Sequence, residues 1–92
     1  MPTGVGYVGG ANIVVVNMDQ DIVHEVTPED AIEAAERCVA AAEAGRADFT
    51  IMIPTAGGDA FTYAGDPDSF RTMAQDLRAA ADKAREAARR GN

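Results

Sequence analysis

The sequence predicts an α+β domain: a four-stranded antiparallel sheet with two helices on one face, in the order ββαββα. Three observations predict it. Short apolar runs come in pairs, each pair broken by turn residues. Each pair is followed by Thr-Pro or Asp-Pro and then by an alanine-rich stretch of 3.6-residue period. The chain has 92 residues, which suits one core and not two.

Residues 1–10 hold four glycines and no helical or strand period, so they read as an arm ahead of a single domain at 11–92. Residues 11–18 are β-branched on both faces, as in a strand covered on both sides or by a partner. Asp19-Gln20-Asp21 reads as a turn, and residues 22–26 return as a second strand. Thr27 is placed to cap a helix with Pro28 at its first position and Glu29 and Asp30 in its first turn. Ala31, Ile32, Ala35, Cys38, Val39 and Ala42 form its apolar stripe, and Gly45 ends it. Residues 49–53 and 60–64 read as a hairpin around a Gly57-Gly58 turn. Asp66-Pro67 then opens a helix to about residue 90, with Phe70, Met73, Ala74, Leu77, Ala81, Ala84 and Ala88 inward.

Thr27-Pro28 matches Asp66-Pro67 at an offset of 39, which reads as an internal repeat of residues 11–46 and 48–90. The competing architecture is βαβα with parallel strands, which arises if 22–26 and 60–64 are not strands. With helices on one face, the other face of the sheet exposes some of Val14, Val16, Met52 and Thr62, a natural surface for a second copy or a partner.

Charge and composition narrow the function. The net charge of −7 disfavours direct nucleic-acid binding and favours basic partner surfaces. Residues 1–46 carry eight acids against Arg37 and Arg46, while residues 47–92 are nearly balanced. Aromatic residues are 5% of the chain, so the core is thin and a homodimer or another partner is expected to add buried surface. No run approaches the ~20 apolar residues of a membrane span, and the single Cys38 allows no internal disulfide. No signal peptide is evident, which makes the cytoplasm the expected location.

Motifs for catalysis are fragmentary. Gly4-Val5-Gly6-Tyr7-Val8-Gly9 fits GxGxxG, but a strand follows it where a phosphate loop needs a helix. The apolar strand ending in Asp19-Gln20-Asp21 locally resembles the nucleophile motif of haloacid-dehalogenase-type phosphatases. That motif continues with Thr, where this chain has Ile22-Val23, and a capped turn explains the aspartates better. Pro2 is similar to the N-terminal proline base of tautomerases, but no strand starts directly behind it. His24 is the only imidazole and cannot form a histidine-rich metal site. Asp59, Asp66 and Asp68 lack the EF-hand spacing. No cofactor and no metal are expected.

No group of residues combines nucleophile, base and oxyanion donor. The sequence therefore favours a small acidic, non-enzymatic protein–protein interaction module. An inhibitor or accessory factor of a phage or mobile element fits this size and charge. The expected partner-binding residues are Glu29, Glu33 and Glu36 on the first helix and Val14, Val16 and Met52 on the sheet. Two alternatives stand beside it: a small-ligand-binding or catalytic homodimer with His24 and Tyr63 lining a pocket, and a structural subunit of a larger assembly.

Overall fold

The computed structural model describes residues 4–8, 13–17, 23–45 and 49–90. Strands β1 (Gly4–Val8), β2 (Ile13–Asn17) and β3 (Val23–Val26) precede helix α1 (Pro28–Ala44). Strands β4 (Phe49–Pro54) and β5 (Ala60–Gly65) precede helix α2 (Pro67–Arg89). Pro2, Gly9, Gly10 and the stretch Asp19-Gln20-Asp21-Ile22 lie outside the described residues.

The strands do not form the single four-stranded sheet that the sequence predicts. They make a three-stranded sheet, ordered β1-β2-β3, and a separate β4-β5 hairpin, so the element order is βββαββα. The extra strand comes from the glycine-rich arm. Val5 and Tyr7 alternate with Gly4 and Gly6, and both side chains pack against the core. Their register sets Val5 opposite Val16 and Tyr7 opposite Val14, which makes β2 the central strand. Every strand pairing among the described residues is antiparallel, which removes the parallel βαβα alternative.

The second correction concerns the join between the halves. β3 is only four residues long, and the hairpin meets it at its turn. The Ala56 N–H donates to the Glu25 carbonyl at 2.8 Å, while Thr55 closes the turn by donating to the Asp59 carbonyl. Pro54, the last residue of β4, has no N–H with which to extend a ladder.

Both helices start as the sequence predicts. The Thr27 hydroxyl accepts from the Asp30 N–H at 3.1 Å, and the Asp66 carboxylate accepts from the Ser69 N–H at 2.9 Å. Gly45 ends α1 in the left-handed region at φ 70°, where a Cβ would be strained. At Gly65 space is the constraint, because a Cβ there would come within 2.9 Å of the Ser69 Cβ.

The core lies between the helices and the inner faces of both sheets. Phe70, Ile53, Leu77, Val14, Val16, Val26 and Cys38 are its largest fully buried side chains. α1 and α2 share the most extensive contact of any two elements. α1 presents Ala31, Ala34, Ala35, Ala41 and Ala42 to the interior, and α2 presents Ala74, Ala80, Ala81 and Ala84. α2 lies on β1 and β2, whereas α1 lies on β4. Each helix thus covers strands from the other half of the chain.

The helices run antiparallel. Pro28 and Glu29 at the start of α1 share a groove with Asp82, Arg85 and Arg89 near the end of α2. At the opposite end Phe49, which lines a groove with Ala44, meets Phe70 edge-on at 6.3 Å. A buried alanine in such a layer leaves no room for a larger side chain. Ala35→Leu therefore destabilises the protein by about 1–3 kcal/mol, although it adds apolar surface. Urea unfolding checks this, and an unchanged or raised midpoint would contradict the close packing.

Candidate functional site

Glu29, Glu33, Glu36 and Glu43 fall on one stripe of α1, at helical steps of four, three and seven. This stripe lies opposite the buried Ala31, Ala34, Ala35, Cys38, Ala41 and Ala42. All four glutamates are exposed. Arg37 borders the stripe and ties it to the hairpin. One guanidinium nitrogen lies 3.6 Å from the Glu33 carboxylate, and the other donates to the Met52 carbonyl at 2.9 Å. Arg37 thereby caps the outer edge of β4. Beside it runs an apolar groove walled by Ala40, Ala41, Ala44, Phe49, Ile51 and Met52.

No family model, curated protein or solved structure matches this chain. The site is therefore built from its own geometry. Glu29, Glu33 and Glu36 share the outer face of α1, and Met52, 58% exposed, stands next to it on β4. Val14 and Val16 do not belong to any accessible surface: both are 0% exposed. Their face of the sheet also carries Val5, Tyr7, His24 and Val26, and it is the face turned to the helices. The outward face instead holds Ile13 and Val15, half-buried, and Val23, 54% exposed. A run that is apolar at every position carries no phase, so the sequence alone gave the two faces no distinction.

His24 and Tyr63 are not brought into one pocket. The His24 ring stacks on Phe61, with centroids 4.0 Å apart and planes within 3°. It borders a shallow cleft of about 460 Å³ with Glu25, Thr55 and Asp59. Tyr63 is buried and meets the Phe70 ring edge-on at 5.3 Å. Burial pushes its phenol pKa up, a shift that the neighbouring Ser69 hydroxyl partly opposes. Among the described residues no group of three or more His, Cys, Asp or Glu side chains is placed to hold a metal ion.

Glu43, which the helical period already sets off the apolar face, extends the acidic stripe at a spacing of seven from Glu36. Arg71, Arg78 and Arg85 on α2 repeat the same spacing of seven and are all exposed. Arg71 pairs with Asp68 at 3.2 Å, whereas Arg78 and Arg85 have no ion-pair partner among the described residues.

Cys38 lies at the centre of the buried face of α1, and burial pushes its thiol up to about 11. The unfolded thiol ionises near its ordinary value of 9.0. The folded-state value is the higher one, so this contribution to stability is full below pH 9.0 and falls as pH rises toward 11. Native protein at pH 8.5 should resist alkylation by iodoacetamide and react only when unfolded in urea. Rapid labelling of the native thiol would show that the alanine layer is open.

Proposed function

We propose that the protein is a small, non-enzymatic protein–protein interaction module, acting as an inhibitor or accessory factor, that meets a basic partner surface with the outer face of α1. The observation that carries this reading is the stripe of Glu29, Glu33, Glu36 and Glu43 opposite the buried alanine face. Four carboxylates along one 17-residue helix make a field of a single sign, relieved at its border only by Arg37. Such a surface speeds the encounter with a cationic partner and sets its orientation. The apolar groove beside it supplies area that charge alone does not.

The alternative of a ligand pocket formed by His24 and Tyr63 has less support. The imidazole is committed to Phe61, and the phenol is packed into the core against Phe70.

A 15-residue lysine/alanine helical peptide is a defined probe of the acidic stripe. In NMR titrations its amide shift changes should centre on residues 29–43, weaken with added salt, and vanish in E29K/E33K/E36K. The three positions are exposed, so the variant keeps its fold. Shift changes that centre elsewhere, or that survive the triple reversal, would sink the reading.

A further inference from the structure

β4 belongs to a two-stranded sheet, so one of its edges has no strand beside it among the described residues. We infer that this edge seats an extended segment of the basic partner, which adds to the β4-β5 hairpin as a third strand beneath α1. The inference rests on the acidic face of α1 being a recognition surface, and adds the form of what it recognises.

The backbone carries it. The Thr55 N–H donates to the Asp59 carbonyl, so these opposed residues form a hydrogen-bonded pair. Antiparallel strands alternate bonded and unbonded pairs, and the register continues with Ile53 opposite Phe61 and Ile51 opposite Tyr63. Ile51 and Ile53 therefore turn their backbone groups to β5, whereas Thr50 and Met52 turn theirs to the outer edge. Met52 agrees with this phase, because its carbonyl accepts from Arg37 at 2.9 Å. A guanidinium N–H thus stands where the N–H of a neighbouring strand would stand. The Thr50 N–H and carbonyl and the Met52 N–H have no partner among the described residues.

α1 leaves room along that edge. The apolar groove between α1 and β4 holds about 350 Å³, with Ala40 and Ala44 exposed on its helical wall and Phe49 half-buried on its strand wall. Three properties of the occupant follow. It is extended, because a strand edge pairs with extended backbone. It alternates, because every second side chain of an added strand faces the groove and is apolar there. It is basic, because the glutamate stripe borders the groove through Glu33 and Arg37. Glu33 marks the join, since its carboxylate lies 3.6 Å from one guanidinium nitrogen while the other holds the Met52 carbonyl. A partner lysine or arginine that takes over Glu33 releases Arg37 and opens the edge. Until then Arg37 guards it against chance pairing.

The test uses a nine-residue peptide of alternating lysine and valine, and the same peptide N-methylated at its three central residues. Methylation removes backbone donors and keeps every charge and apolar side chain. In NMR titrations of the full chain, the plain peptide should move the Thr50 and Met52 amide protons downfield. The methylated peptide should bind at least tenfold more weakly. R37A should tighten the plain peptide at least threefold more than the methylated one, and circular dichroism melts confirm that the variant stays folded. Equal affinity of the two peptides, tightening of both alike by R37A, or shifts that leave Thr50 and Met52 unmoved would each overturn the inference. So would failure of the plain peptide to bind. In each case binding of the lysine/alanine helical peptide to α1 leaves the acidic-face reading standing, and absence of that binding removes it as well.

Discussion

The close antiparallel packing of α1 against α2 is the contact on which the rest of the structure depends. Neither sheet has a second layer among the described residues except these helices, and each helix covers strands from the opposite half of the chain. Separating the helices would uncover Val14 and Val16 on one side and Ile51 and Ile53 on the other. Alanine suits this seam for two reasons. It loses no side-chain entropy on burial, and its size lets the helices approach closely enough for dense dispersion contacts. The cost is area: at about 25 cal/mol per Å², a methyl group contributes little. The larger share falls to Phe70, Ile53 and Leu77, which fill the space where helices meet strands.

That packing also orders the outer surface. Because the buried stripe of α1 is alanine and cysteine, the opposite stripe is free to be glutamate. On α2 the exposed side carries both signs, with Asp68, Asp76, Asp82 and Glu86 set among Arg71, Arg78, Arg85 and Arg89, so the stripe of a single sign is confined to α1.

The helices were legible in the sequence, since their signals are local. A hydroxyl or carboxylate before a proline fixes the start, and the 3.6-residue period fixes the buried face. The hairpin at 49–65 was legible for the same reason, because Phe61 and Tyr63 alternate with exposed residues. What failed was the assembly of strands. Glycines at 4 and 6 hid β1, because Val5 and Tyr7 become a strand only through their pairing with Val16 and Val14. The phase of β2 was equally hidden, since Ile13 to Val16 are all apolar and only the position of α2 decides which two face inward. On the surface, Glu29, Glu33 and Glu36 could be read from helical spacing. The tie from Arg37 to the Met52 carbonyl and the stacking of His24 on Phe61 join residues too distant in sequence for spacing to reveal.

The most direct measurement of the helix seam is native-state amide hydrogen exchange followed by NMR. If the seam holds both sheets in place, residues 34–42 of α1, residues 73–81 of α2 and Val14 and Val16 of β2 exchange together, at the free energy of global unfolding. Either helix opening at a clearly lower free energy than β2 would contradict it.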